Sequence, residues 1–349
     1  MTNPLPFRVT VTADFYHLDN KLRYPDIGLS IFESAPHIEV RRFASHHHVI
    51  APEQIGDAQG VIVLTPHVTR DSLAHSDKLL AIGRFGVGYD SVDVRACTEA
   101  DVVVFITPGA VDRPVAEATV CWMLALTHQM TAKDHLVRTG QWDERSRYLG
   151  KELRDRTLGV IGLGGIGKAL VQLLSGFGMK RPLVFDPYIQ PDTAKEIGVE
   201  LVPLATLLAD ADFVSIHCPL TERTRNLIGK RELALMKRDA YLINTARGGI
   251  VDEDALYHAL STEQIAGAAI DCFVGEPIIT PHRFGDLENV LLAPHSIAHT
   301  YELFRDIGRA VCKGMLELSL GTKPSGVVNA EVFERESFQK KWRRLTQGG

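Results

Sequence analysis

The run Gly162-Leu163-Gly164-Gly165-Ile166-Gly167 constrains the fold more than any other feature of the chain. It stands directly after an apolar stretch that begins at Leu158 and directly before a helical run, KALVQLLSGFG. A strand that turns into a helix across glycines aims backbone N–H groups at an anion. In such a turn the first glycine permits the tight bend, the second lets backbone approach a pyrophosphate, and the third allows close helix–sheet contact. Alone the motif is weak. Asp186 strengthens it by ending the next strand candidate 19 residues beyond Gly167, where a carboxylate can accept bonds from adenosine ribose hydroxyls. The same carboxylate repels a 2'-phosphate, and Pro187 and Tyr188 bring no cation to bind one. The dinucleotide expected is therefore NAD rather than NADP.

A second alternation of short apolar runs surrounds this turn, and the 349-residue length is enough for about two domains of ~150 residues. From Leu158 on, strand candidates fall at 158–167, 182–188, 213–220, 240–249, 266–273 and 289–296, six in all, as a complete doubly wound sheet requires. Earlier runs at 8–15, 60–66, 79–86 and 101–108 predict a separate parallel α/β unit with both faces of its sheet covered. Between them a helix is expected from Pro114 to about Gly140, with Asp112 as its oxygen cap. Its first half, 115–126, is apolar nearly all round, which fits either an internal core helix or a subunit contact. Phe304, Ile307, Val311, Met315 and Leu318 mark an amphipathic helix after His299 that stops at Gly321. That helix has no later strand to return to, so it is expected to cross back to the first unit. The charged segment from Glu334 to Gly349 reads as a surface tail.

Composition excludes several classes of function. The formal charge is −5 with no basic stripe, which argues against nucleic acid as a partner. Five scattered cysteines form no disulfide framework or C-x-x-C pair, as in a reducing compartment. The first seven residues lack the features of a secretory signal, and the most apolar window, 116–126, is too short to cross a bilayer, so a cytoplasmic location and no membrane partner are expected. The consecutive His46, His47 and His48 would diverge in a strand, and no metal site is expected.

Six motifs in order, GVGYDSVD (86–93), TLGVIGLGGIG (157–167), HCPLT (217–221), LINTARGGIVDEDAL (242–256), DCFVGEP (271–277) and APHSIAH (293–299), make the chain resemble the D-2-hydroxyacid dehydrogenases from about Gly60 to Asn329. The resemblance implies two Rossmann-like α/β domains, one flavodoxin-like and one doubly wound and NAD-binding, with an interdomain cleft. The substrate domain would span 1–112 and 300–349, the NAD domain 113–299, and the protein would be a homodimer acting on a small 2-keto or 2-hydroxy acid.

Independently of the family, Arg247, Glu276 and His295 lie at or just beyond strand ends, where open α/β sheets bind ligands. Hydride transfer to a ketone needs a proton for the oxygen, and histidine suits that task. His295 is the expected general acid, Glu276 the carboxylate that orients it, and Arg247 the fork that holds a substrate carboxylate while polarising the carbonyl. The turn Phe85, Gly86, Val87 resembles the family loop that offers N–H groups to the substrate carboxylate. Thr245 and Ala246 match positions lining the nicotinamide pocket, and His217 belongs to a family backbone turn near the cofactor. Asp271 is either a partner of the nicotinamide carboxamide or a structural strand-end Asp. Cys218 and Cys272 are expected to be buried and inert.

The departure from the family pattern is GAVDRPVAE at 109–117, where Arg113 either meets a second acidic group or is a solvated residue at a helix start. A different class of function, an NAD(H)-sensing corepressor-like binding protein, would not need a complete catalytic triad. The sequence does not choose among phosphohydroxypyruvate, hydroxypyruvate, glyoxylate and a longer sugar-derived acid.

Overall fold

The computed structural model describes residues 6–346. Its chain separates into two compact units, one made of the residues up to Val111 together with those from His299, the other of Asp112–Ala298.

The first unit holds five parallel strands, β1 (Phe7–Val11), β2 (Ile38–Arg42), β3 (Gly60–Val63), β4 (Ala81–Arg84) and β5 (Val103–Phe105), in the order β2-β1-β3-β4-β5. This is the flavodoxin-like order. β3 is buried on both faces, as its unbroken GVIV requires, whereas β2 (IEVRR) is an edge strand with no fully buried residue. An edge strand needs no continuous apolar run, which is why the apolar pattern did not reveal it.

The helix Tyr301–Ser319 belongs to this unit. It buries Phe304, Ile307, Val311, Met315 and Leu318, each contributing roughly 1.5–3 kcal/mol of apolar burial. Downstream, Val328 N–H donates to the Val104 carbonyl, and the buried Asn329 side chain accepts from Val104 N–H at 2.8 Å. Those bonds tie the returning chain to β5. The expected surface tail is a helix, Glu336–Thr346, with Phe338 fully buried and Trp342 Nε1 donating to the Leu318 carbonyl. Charge on its outer face masked two aromatic anchors four residues apart. Residues 347–349 of that expectation lie outside the described residues.

The second unit carries seven parallel strands: β6 (Leu158–Ile161), β7 (Leu183–Phe185), β8 (Glu200–Leu201), β9 (Phe213–Ile216), β10 (Tyr241–Asn244), β11 (Gly267–Ile270) and β12 (Val290–Leu292). Their order is β12-β11-β10-β9-β6-β7-β8. The chain enters at β6, builds outward through β7 and β8, then returns to build outward from β9. The switch point therefore falls between β6 and β9, where ligands bind in open α/β sheets. β8 is a two-residue edge strand beyond the six expected.

The helix predicted from Pro114 to Gly140 is two helices, Asp112–Thr127 and Met130–Arg138, with Gln129 between them in the left-handed region at φ 52°. The Thr127 carbonyl is taken by Lys151 N–H, from a distant loop, instead of by the next helical turn. A tertiary bond breaks this helix. Asp112 is its first residue rather than its cap; its carboxylate rests against Gly165, and burial pushes its pKa up. The apolar stretch 115–126 packs largely inside the unit through Ala116, Trp122, Met123 and Leu126. No helix among the described residues is long and apolar enough to cross a membrane.

Candidate active site

All the site residues expected in the second unit sit on one edge of its sheet, beyond the C-terminal ends of the strands. Gly162 follows β6, Asp186 follows β7 and His217 follows β9; Arg247, Glu276 and His295 follow the adjacent strands β10, β11 and β12. Parallel strands point all their C-terminal loops to the same side, so residues more than a hundred apart in sequence share one edge of the sheet.

The glycine turn is built as the motif demands. Gly162 has φ 94°, and a Cβ there would lie 2.9 Å from the His217 carbonyl carbon and 2.8 Å from Cys218 N. A Cβ on Gly167 would lie 2.5 Å from the Gly162 carbonyl oxygen, so the helix Gly165–Leu174 lies too close to its strand for any larger residue. Gly164 faces open space, and no side chain caps the helix that begins with Gly165 and Ile166. The first N–H groups of that helix are therefore left for a ligand. Asp186 accepts from Leu163 N–H at 2.8 Å through one oxygen and from Tyr188 N–H at 2.9 Å through the other. These bonds aim the carboxylate across the turn and leave it with lone pairs to accept ribose hydroxyls.

Two polar atoms nearby on this edge lack partners. His217 bonds Ser215 Oγ through Nε2 at 2.8 Å, but its Nδ1 is buried and unpaired, as is Oγ1 of Thr245. Buried groups left unsatisfied call for a polar ligand. Burial pulls His217 down to about 4, so it stays neutral near pH 7 and is a hydrogen-bonding group, not a proton carrier. The glycine turn, Asp186 and these orphaned atoms fit a bound dinucleotide. Burial also pushes the Cys218 thiol up to about 11, which keeps it protonated.

At the other end of the same edge, His295 Nδ1 lies 2.7 Å from Glu276 Oε2. The second Glu276 oxygen accepts from Phe273 N–H at 2.7 Å. Burial raises the Glu276 pKa, but the bond and charge of His295, the Phe273 N–H and the Arg247 charge outweigh it, and the net shift is downward. Glu276 is thus held as a carboxylate. His295 has φ 52°, a strained value for a residue with a side chain, of the kind that persists where surrounding bonds over-determine it. Here the bonds are His295 N–H to the Asp271 and Ala293 carbonyls.

Asp271 is the anchor of that loop. Its Oδ1 accepts from Ser296 N–H at 2.8 Å and Ile297 N–H at 3.2 Å, and burial pushes its carboxyl up to about 6. The structure thus gives one oxygen of Asp271 a structural task. Asn244, which sequence reasoning missed, does the same for Arg247. Its Oδ1 accepts from Ala246 N–H and its Nδ2 donates to the Arg247 carbonyl, stapling residues 244–247 into a turn. An Asn at a strand end before a turn was the available signal. The Ala246 carbonyl in turn accepts from Arg247 Nη1 at 2.6 Å and from Cys272 Sγ at 3.4 Å.

The loop Phe85, Gly86, Val87 lies in the first unit, after β4. Phe85 is a core residue, stacked edge-on with Phe15 at 4.9 Å, and its N–H is committed to the Val63 carbonyl at 2.9 Å. Among the described residues, Gly86 and Val87 N–H make no such bond, so the anion-binding expectation narrows to those two. Arg113 is exposed and pairs with Glu117 one helical turn on, the solvated alternative. His46, His47 and His48 are exposed. Cys272 is buried, whereas Cys218 is only partly so.

Comparison with known proteins agrees with this geometry. Residues 120–296 match the family model described as the D-isomer specific 2-hydroxyacid dehydrogenase NAD binding domain. The D-3-phosphoglycerate dehydrogenase of Methanocaldococcus jannaschii is 38% identical over 315 residues; the match covers 90% of this chain but only 59% of that protein. The glyoxylate reductase of Korarchaeum cryptofilum is 36% identical over 317 residues, covering 89% of this chain and 95% of the relative. A glyoxylate reductase from Paecilomyes thermophila, of solved structure, superposes with a TM-score of 0.79 at 25% identity, over 93% of this chain and 99% of that one.

Proposed function

Because the chain belongs to the NAD-dependent D-isomer-specific 2-hydroxyacid dehydrogenases, we propose that it interconverts a small 2-keto acid and the D-2-hydroxy acid, with Arg247, Glu276 and His295 as the catalytic groups. The observation that carries this reading is the 2.7 Å bond between Glu276 and His295, which follow β11 and β12, the next two strands beyond the β10 that bears Arg247.

Gly162, Gly164, Gly165, Ile166 and Gly167 hold the pyrophosphate, Asp186 the ribose, and His217, Thr245 and Ala246 the remaining polar groups of the cofactor. When bound, NADH supplies the hydride. Arg247 grips the substrate carboxylate and draws charge onto the carbonyl oxygen. His295 donates its proton to that oxygen, while Glu276, held as a carboxylate, keeps the ring oriented through Nδ1 and stabilises its charged form. In the oxidative direction His295 removes the hydroxyl proton.

The nearly full-length match to a glyoxylate reductase supports glyoxylate, or another unphosphorylated keto acid of similar size, as substrate. A panel of glyoxylate, hydroxypyruvate, pyruvate and phosphohydroxypyruvate, each with NADH and NADPH, tests this. Turnover is expected with NADH on the small acids. Binding of NADH without turnover on any of them would favour a cofactor-sensing protein instead.

The chain is also proposed to form a homodimer. Met130, Val137, Trp142 and Leu149 are 56%, 65%, 63% and 77% exposed in one stretch of the second unit, a concentration of apolar surface that favours a protein contact. Light scattering of the purified protein gives the mass directly; a monomer at micromolar concentration removes this proposal.

A further inference from the structure

Beside the pair Glu276 and His295 stands a thiol to which the mechanism gives no task. Cys272 Sγ, a Glu276 oxygen and a His295 ring nitrogen all lie within 4.8 Å of one another, the only such grouping of His, Cys, Asp and Glu among the described residues. We propose that these three side chains form a binding site for a thiophilic divalent cation, Zn2+ or its analogue Cd2+, and that the bound ion arrests proton transfer at His295.

The donor set is one sulfur, one nitrogen and one oxygen, which selects zinc-like ions over the hard cations that prefer all-oxygen shells. Three protein ligands with water in a fourth position make an ordinary tetrahedral zinc site. Ligand atoms around such an ion stand about 3.3–3.6 Å apart, so the Cys272 sulfur must close on the pair by about an ångström while the 2.7 Å contact of Glu276 with His295 opens by about half of one. Cys272 is 1% exposed and serves as a fixed anchor, while the His295 and Glu276 side chains, 44% and 32% exposed, give the ion its route from solvent. The ion takes the place of two protons. One is the thiol proton now directed at the Ala246 carbonyl, the other the proton shared by Glu276 and His295. The thiol proton leaves to solvent; the ring proton leaves with it when the ring is imidazolium and moves to the other ring nitrogen when the ring is neutral, and no bond to carbon is made or broken. Ion uptake stands on the geometry alone; the arrest of turnover rests on the catalytic roles proposed above for Glu276 and His295.

The test uses the full chain without cofactor. Cd2+ is titrated while the ultraviolet sulfur-to-metal charge-transfer band is recorded, and Zn2+ affinity is measured by competition. The parent is expected to show the band saturating at one ion per chain. Cys272→Val and Cys272→Ser, each checked for an unchanged melting curve, should lose it and bind Zn2+ at least roughly ten-fold more weakly. In steady state, each variant should need correspondingly more Zn2+ than the parent to halve its own rate. Equal Zn2+ affinity in parent and variants, or no band in the parent, overturns the site. Cys272-dependent binding that leaves turnover intact upholds the site and instead overturns the role given to His295.

Discussion

His295 Nδ1 and Glu276 Oε2 are 2.7 Å apart, and the other Glu276 oxygen is held at the same distance by Phe273 N–H. The carboxylate is thus fixed from behind by backbone, and it fixes the imidazole in front. Replacing Glu276 by Gln keeps the shape and removes the charge that favours imidazolium. Reduction, which consumes that form, should fail at a lower pH in Glu276→Gln than in the parent, with a fall in kcat of about ten- to a hundred-fold. Superposable pH profiles would remove Glu276 from this role.

Arg247→Ala should lower kcat/KM for a keto acid by about a thousand-fold or more, because substrate binding and carbonyl polarisation are lost together. NADH affinity, measured by fluorescence quenching, should stay within about two-fold. Loss of NADH binding instead would place Arg247 in the cofactor site.

Asn244 holds the backbone of the Arg247 turn through both ends of its amide. Asn244→Ala frees the turn at 244–247 and should reduce kcat more than it raises KM, by roughly ten-fold. Asn244→Asp keeps the acceptor for Ala246 N–H and loses the donor to the Arg247 carbonyl, so it should recover part of the rate. A melting-temperature loss with normal kcat would make Asn244 purely structural.

Asp186 is the carboxylate proposed to hold the ribose and repel a 2'-phosphate, and Asp186→Ser removes it. NADH should bind about ten- to a hundred-fold more weakly, and the preference for NADH over NADPH should shrink. An unchanged NADH to NADPH ratio of kcat/KM contradicts the role of Asp186.

Asp271 carries its carboxyl pushed up to about 6 by burial, against 3.8 as the ordinary value. An acid whose folded value is raised binds its proton more tightly when folded. Its ionisation therefore opposes folding above about pH 6, and that penalty is relieved as pH falls through 6 toward 3.8. Asp271→Asn keeps an oxygen for Ser296 and Ile297 N–H and removes the charge. Its melting temperature should exceed the parent's by about 2 °C or more at pH 8, with a smaller gain at pH 4. A gain of equal size at both would show that the charge is not what burial opposes.

The glycine turn was legible because its chemistry is local: three glycines between a strand and a helix, with an acid at the end of the next strand, fall within a short window of sequence. Buried parallel strands such as β3, β6 and β9 were legible for the same reason, since two covered faces demand unbroken apolar runs. The edge strands β2 and β8 and the C-terminal helix were not, because each buries one side only and its pattern is diluted by charge. The break at Gln129 had no local signal; it comes from Lys151, which takes a carbonyl the helix would have used.

What the sequence by itself determined is the glycine turn and the buried strands around it, because periodicity and turn chemistry act over a few residues. Tertiary structure alone decided that Asp271 clamps the histidine loop, that Phe85 is a core residue and that Cys272 stands beside Glu276 and His295. Those facts depend on which strand lies next to which, and adjacency in a parallel sheet is set by long-range packing that no short window of sequence contains.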